Sequence, residues 1–170
     1  MNYQMAWPYF PENEIDWLLK EFKNILQGNA PLSMGPRVKE FEDIFASYVG
    51  AEYAVGTNSC TSALEIALRS IGIQDGDEVI IPVETFIATG SAVVIEGAKP
   101  VFCDIDPKTF CINLKELKKQ VTDKTKAVII VHMAGMISPD ALEIKAFCQQ
   151  ENIILIEDAA HAIGASIHGV

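Results

Sequence analysis

The chain has 170 residues, of which 49% are hydrophobic and 21% charged, and its formal net charge is −10. This composition is typical of one compact soluble domain with a substantial core, and the negative charge argues against nucleic-acid binding because an acidic surface repels phosphate backbones. The four scattered cysteines, Cys60, Cys103, Cys111 and Cys148, form no C-x-x-C pair, which argues against a zinc site or a disulfide framework.

The N-terminal segment predicts helices rather than a targeting signal. The first ten residues have neither a basic region nor a long apolar core, and no apolar run reaches membrane-spanning length, so we expect a cytosolic protein. Residues 12–27 and 38–49 carry apolar residues at helical spacing, and the breaker-rich loop GNAPLSMGP separates them. We expect residues 1–34 to form an N-terminal helical arm, in which Trp7 and Trp17 either pack onto the domain or contribute to an interface.

From Glu52 onward, short apolar runs alternate with helical patterns. The predicted strands are YAVGT, EVIIP, PVFCDI, AVIIVH and IILIED, and the predicted helices lie near residues 62–71, 85–96, 114–121 and 139–151. Strands that are apolar throughout are buried on both faces, as in parallel sheets. Residues 35–170 are therefore expected to form an α/β fold, with a mainly parallel sheet between two layers of helices. Ligands of such sheets bind beyond the carboxyl ends of the strands.

The turn after the first predicted strand is rich in hydroxyl groups. It reads TNSCTSALEIALRS, with Asn58, Ser59, Thr61 and Ser62 at the start of an amphipathic helix. The ordinary interpretation is a helix cap, in which a side-chain oxygen accepts from free amides. The functional interpretation is a phosphate cradle at a helix N-terminus. Neither a P-loop nor a G-x-G-x-x-G motif is present.

Two further strand ends carry candidate residues. Phe86 follows the second strand, where it is either a core residue or an aromatic face stacked on a planar ligand. His132 follows the fourth strand, where a structural, hydrogen-bonded histidine is the ordinary interpretation and a catalytic residue the functional one. Each residue therefore has one structural and one functional interpretation.

The stretch NIILIEDAAHAIGAS ends the fifth predicted strand on two adjacent acids. Glu157 and Asp158 point to opposite faces if the strand continues, so at most one of them faces the site. The acid there is either a helix cap or a fixed anion for a cationic ligand, because a buried carboxylate is costly without a partner. His161 lies three residues beyond Asp158. A metal site made of Asp158, His161 and His132 is an alternative.

A phosphate cradle, an aromatic face and a buried carboxylate on one rim suit a planar, phosphorylated, cationic heteroaromatic. Pyridoxal phosphate (PLP) has these features, and its pyridinium nitrogen requires a carboxylate to hold its proton. The alternative is a doubly wound nucleotide-binding or regulatory module that never holds PLP, although the turn matches no standard nucleotide motif.

Several blocks, in order, resemble the DegT/DnrJ/EryC1/StrS family of sugar aminotransferases, which have fold type I. They include RVKEFEDIFASYVGAEYAV, GAKPVFCDIDPKTF, TKAVIIVHMAG and IEDAAHAIGA. The resemblance implies that Asp158 bonds the pyridine nitrogen, that Phe86 stacks on the ring and that His161 lies near the phenolic oxygen. It also implies that the phosphate of PLP is bound by the amides of Ser59, Cys60 and Thr61 and by the threonine hydroxyl. The chain departs from the usual Ser-Gly-Thr at Cys60, and from the frequent glutamine at His161.

The resemblance also implies that this chain is the N-terminal portion of a longer enzyme. The lysine that forms a Schiff base with PLP in the family lies beyond Val170, and GASIHGV resembles the start of a strand without its partner. The chain alone is then expected to be inactive, or a weak non-covalent binder of PLP. The intact enzyme is expected to be a homodimer that transfers an amino group, with glutamate as donor, to a nucleotide-linked keto sugar. A dehydratase of the same family, with histidine in place of the lysine, is an alternative.

Overall fold

The computed structural model describes residues 9–167. They divide into two compact units, of which the first ends at Gly56 and the second begins at Thr57. None of the helices in the described range is both long enough and apolar enough to cross a membrane. Trp7, which we considered as interface material, lies outside the described residues.

The first unit contains two helices, as the apolar spacing predicts. Helix α1 spans Glu12–Leu26, and helix α2 spans Pro36–Val49. Proline suits the first turn of α2 because its missing N–H would have no acceptor there. Gly50 follows as the C-cap residue, and its φ of +71° lies in the left-handed region that glycine adopts without strain. No residue of α1 is buried, and its apolar side chains are exposed apart from the half-buried Ile25.

The second unit alternates helices and strands. Its strands are β1 (Glu78–Pro82), β2 (Lys99–Cys103), β3 (Thr125–Val131) and β4 (Ile154–Asp158). Its helices are α3 (Cys60–Ser70), α4 (Ile87–Ile95), α5 (Leu114–Gln120) and α6 (Ala141–Gln150), and a short 3₁₀ turn spans Met133–Gly135. Each bound lies within three residues of the sequence-based expectation for that element.

The four strands form one parallel sheet in the order β2-β1-β3-β4. All of β1 is buried, and so is β3 apart from Lys126. The outer strands β2 and β4 are partly exposed, as expected for the edges of a sheet. Central strands with apolar residues on both faces require cover on both sides. The predicted α/β fold with a parallel sheet is thereby confirmed.

Helices cover both faces of the sheet, and each face has its own core. Successive side chains of a strand point to opposite faces, so β1 and β3 contribute to both cores. On one face, α5 and α6 pack on the sheet through Ile80, Cys103, Leu117, Val128, Ile130, Ile144 and Cys148. On the other face, α3 and α4 pack through Leu64, Leu68, Val79, Ile81, Ala92, Val93, Ala127 and Ile129. Each fully buried aliphatic side chain stabilises the fold by roughly 1.5–3 kcal/mol relative to an exposed one.

One predicted strand segment is not a strand. The segment YAVGT has no strand conformation, and its Tyr53 and Val55 side chains are 78% and 74% exposed. This prediction was wrong because an apolar pattern indicates what a segment tends to bury, whereas a strand forms only where a neighbouring strand provides hydrogen-bond partners. Residues 164–167 form no strand, and the rest of GASIHGV lies outside the described range, so its start of a strand stays a prediction.

Candidate functional site

Asp158 ends β4 at the carboxyl edge of the sheet, where ligands of parallel sheets bind. It pairs with Val131 of β3, and only 8% of its surface is exposed. Its side chain lies on the face of the sheet that α3 covers, whereas Glu157 bonds a histidine on the other face. The expectation that only one of the two acids faces the site is therefore confirmed.

The carboxylate of Asp158 is held at one oxygen only. Oδ1 accepts from the Ala160 amide at 3.1 Å and lies 3.5 Å from Cys60 Sγ. Within residues 9–167, no hydrogen bond reaches Oδ2 and no cationic side chain pairs with the carboxylate. Oδ2 is not a buried atom without a partner, unlike Nδ1 of His132, so it stays open to the edge of the sheet where a ligand can approach. Oδ2 is therefore the atom that remains to bind a positively charged group.

The hydroxyl-rich turn caps helix α3. Ser59 is the N-cap residue, and its Oγ accepts from the Ser62 amide at 3.2 Å. The capping interpretation therefore describes Ser59 correctly. The amides of Cys60 and Thr61 belong to the first turn, where N–H groups have no acceptor within the helix. These donors and the positive end of the helix dipole make the turn suitable for an anion as well.

Cys60 joins this turn to Asp158. The two residues are 98 positions apart in sequence, yet the thiol lies within hydrogen-bond distance of the carboxylate. Burial, followed by the charge of Asp158, raises the pKa of the Cys60 thiol to about 11. The thiol is thus protonated at neutral pH and acts as the donor to Oδ1. The contact places the first residue of α3 beside the carboxyl end of β4.

A cleft of about 250 Å³ opens beside Asp158. Its lining residues are Glu84, Thr85, Phe86, Val131, Met133, Asp158, Ala160 and His161. Phe86 is the N-cap residue of α4 and is 72% exposed, so its interpretation as a core residue is wrong. The cleft thus brings together the aromatic residue, the buried acid and His161. The Ser59–Thr61 turn does not line it and is connected to it through Cys60.

Five residues of the cleft were missed by the sequence analysis, namely Glu84, Thr85, Val131, Met133 and Ala160. Val131 is the last residue of β3, and each of the others follows the end of β1, β3 or β4 by no more than three residues, so the strand-end rule could have found them. Thr85 is fixed by a 2.7 Å hydrogen bond between its Oγ1 and that of the fully buried Thr89. The 3₁₀ turn also approaches the His161 segment closely, since a Cβ on Gly135 would lie 3.1 Å from the His161 carbonyl oxygen.

His132 lies on the opposite face of the sheet from Asp158. Its Nε2 is 2.9 Å from Oε2 of Glu157, and this hydrogen bond lowers the pKa of the Glu157 carboxyl. Its Nδ1 is buried without a hydrogen-bond partner in the described chain. The proposed metal set of Asp158, His161 and His132 therefore does not converge, and residues 9–167 contain no group of three or more acidic, histidine or cysteine side chains placed to bind a metal.

Comparison with known proteins identifies relatives of this chain. The GDP-perosamine synthase of Caulobacter vibrioides is 39% identical over 97% of this chain and 43% of its own length. The UDP-2-acetamido-2-deoxy-3-oxo-D-glucuronate aminotransferase of Pseudomonas aeruginosa is 42% identical over 80% of this chain and 38% of its own length.

A solved structure is also similar to this chain and is longer than it. The crystal structure of NtdA from Bacillus subtilis, which contains the cofactor PMP, matches with a TM-score of 0.86 and 31% identity, over 99% of this chain and 40% of that one. The chain thus spans less than half the length of each of these three proteins. The sequence profile of the DegT/DnrJ/EryC1/StrS aminotransferase family matches residues 13–170, and the chain therefore belongs to this family.

Proposed function

We propose that this chain is the N-terminal portion of a PLP-dependent aminotransferase that acts on a nucleotide-linked keto sugar, with glutamate as the amino donor. Two similarities support the proposal: a GDP-sugar synthase and an aminotransferase named for a 3-oxo UDP-sugar both match most of the chain. Residues 1–34 would be a helical arm and residues 35–170 an incomplete cofactor-binding domain. The part of the enzyme that corresponds to the unmatched portion of these relatives would supply the Schiff-base lysine and the substrate-selecting residues.

The observation that carries this proposal is the state of the Asp158 carboxylate. It is almost buried, two donors occupy Oδ1, and Oδ2 has neither a donor nor a cation beside it in the described residues. A pyridinium nitrogen in the adjacent cleft would provide both the positive charge and the N–H donor. PLP, when bound, supplies an electron sink for carbanion chemistry.

The other site residues would hold the same flat molecule. The exposed ring of Phe86 would stack on the pyridine face, where contacts between aromatic rings add roughly 0.5–1.5 kcal/mol. Ser59, Cys60 and Thr61 would bind the phosphate through their amides and the threonine hydroxyl at the N-terminus of α3. His161, on the cleft wall, would lie near the phenolic oxygen. Asp158 would keep the proton at the ring nitrogen, because a nearby negative charge favours the protonated form.

Assembly and location are also proposals. A homodimer is implied by the resemblance to the family, and the first unit offers apolar surface for it, since Trp17, Leu19, Phe22 and Leu26 of α1 are exposed. A cytosolic location is supported by the absence of a disulfide, as all four cysteines are free and three of them are buried.

The function is tested by titrating the chain with PLP. We expect the wild type to bind PLP non-covalently, with an absorbance change that reports a protonated ring. The substitution Asp158→Asn keeps the shape but removes the charge, so binding should weaken by at least about tenfold, as expected when a buried charge loses its partner.

The matched control is Asp123→Asn, which makes the same charge change on an exposed residue at the opposite rim of the sheet, just before β3. It should leave PLP binding unchanged. Equal PLP spectra in the wild type and Asp158→Asn, or no PLP binding by the wild type, would refute the proposal and favour a nucleotide-binding or regulatory module instead.

A further inference from the structure

Cys60 contributes to the site in a way that its position in the α3 turn alone does not explain. It is the first residue of α3, and its backbone belongs to the turn that we assign to the phosphate. Its side chain leaves that turn and reaches Oδ1 of Asp158 at 3.5 Å. One residue thus belongs to the α3 turn through its backbone and contacts Asp158 through its side chain.

The contact has a defined direction. An ionised carboxylate has only acceptor sites, so the hydrogen must come from the thiol. Cys60 keeps this hydrogen at neutral pH because burial and the Asp158 charge raise the pKa of its thiol to about 11. The bond is therefore S–H to Oδ1, and it does not compete with a donor that approaches Oδ2.

The contact also determines how the carboxylate is oriented. The terminal torsion of an aspartate is broad, so one hydrogen bond leaves the carboxylate plane free to rotate. The Ala160 amide reaches Oδ1 from the segment after β4, and the Cys60 thiol reaches the same atom from α3. Donors from two different elements restrain the carboxylate plane at Oδ1 and leave Oδ2 as the oxygen without a donor in the described residues.

We propose that Cys60 is a positioning residue, whose thiol holds Oδ1 of Asp158 so that Oδ2 meets the ring nitrogen of PLP. This inference rests on the proposed function and adds a specific role within it. Because the thiol belongs to the phosphate-binding turn, it also fixes the position of the carboxylate relative to that turn.

The test compares Cys60→Ala and Cys60→Ser with the wild type in the full 170-residue chain. PLP affinity is measured by absorbance titration, and the pKa of the ring nitrogen is measured by NMR with PLP labelled with nitrogen-15 in the ring. Cys60→Ala should weaken PLP binding about three- to tenfold, the range for loss of one ordinary hydrogen bond, because a thiol is a weak donor, and it should lower the ring-nitrogen pKa. Cys60→Ser keeps a donor at this position and should restore both values toward the wild type.

Cys148→Ala is the matched control, because it removes another thiol from the core on the opposite face of the sheet. It should lower the midpoint of thermal unfolding and leave the ring-nitrogen pKa unchanged. If the wild type binds PLP but Cys60→Ala shows an unchanged or raised ring-nitrogen pKa, Cys60 does not position Asp158. If the wild type does not bind PLP, the proposed function itself fails.

Discussion

The adjacent acids Glu157 and Asp158 have different partners because a strand turns successive side chains to opposite faces. Asp158 faces the cleft, and Glu157 bonds His132 on the other side of the sheet. The His132 amide also donates to the Asp158 carbonyl at 3.1 Å. His132 therefore holds β4 twice, at the two consecutive residues where the strand ends. This pairing fixes the backbone from which Asp158 enters the site.

Glu157→Gln tests the bond to His132 through its pH dependence. The bond lowers the pKa of Glu157 below its ordinary value of 4.5, so it stabilises the folded chain above that value. The contribution is lost as the pH falls through the lowered pKa. Since half of the Glu157 side chain is exposed, solvent screening limits the effect to about 0.5–1 kcal/mol. Urea unfolding should show that the free energy of unfolding of the variant is lower than that of the wild type by this amount at neutral pH, and by less in acid. An equal difference at both pH values would refute the role of the Glu157 charge.

Single residues were predictable where a local rule applies to them. Alternation along β4 correctly predicted that only one acid faces the site, and the strand-end rule pointed to Phe86 beside the cleft. The contacts of His132 with Glu157 and of Cys60 with Asp158 could not be predicted. They join residues 25 and 98 positions apart, and their proximity depends on the order of strands and helices in the folded chain.

At the scale of an element, the N-terminus of α3 combines a stabilising cap with a proposed anion site. Ser59→Ala removes the oxygen that accepts from the Ser62 amide, which should lower the free energy of unfolding by about 1 kcal/mol. Ser59→Asp keeps an oxygen at the cap and should retain near-wild-type stability. It also places a negative charge where the phosphate would bind, so PLP affinity should fall because like charges repel.

The two variants of Ser59 separate capping from binding. Chemical denaturation measures the first property, and PLP titration of each folded variant measures the second. Wild-type PLP affinity in Ser59→Asp would contradict a phosphate site at this turn. A stability loss in Ser59→Asp as large as that in Ser59→Ala would contradict the cap.

Elements were predictable where their pattern and their partners agree. The runs that became β1 to β4 are paired with neighbouring strands, and their helices cover the apolar faces. The segment YAVGT has an equally apolar pattern but no strand conformation. Sequence periodicity predicts which face of an element is apolar, whereas strand formation also depends on a partner that a local pattern does not specify.

At the scale of the whole molecule, the chain corresponds to less than half the length of its relatives. The second unit contains a core on each face of the sheet and a rim where the candidate site residues Phe86, Asp158 and His161 meet. The exposed side chains of α1 show that the first unit presents apolar surface. The positions of the lysines therefore test the proposal that the Schiff-base residue lies elsewhere.

None of the residues that line the cleft is a lysine. Lys99 pairs with Glu78 at the opposite rim of the sheet, at 2.9 Å, and Lys118 lies over the ring of Phe147 on the face that α5 and α6 cover. We therefore expect no site-specific lysine adduct when the chain is incubated with PLP and reduced with borohydride. Because PLP also labels surface lysines, the same reaction with Asp158→Asn is the reference, and mass spectrometry should find equal labelling in both. A lysine labelled to completion in the wild type and spared in Asp158→Asn would show that this chain carries its own Schiff-base residue, and the proposal that the lysine lies elsewhere would be wrong.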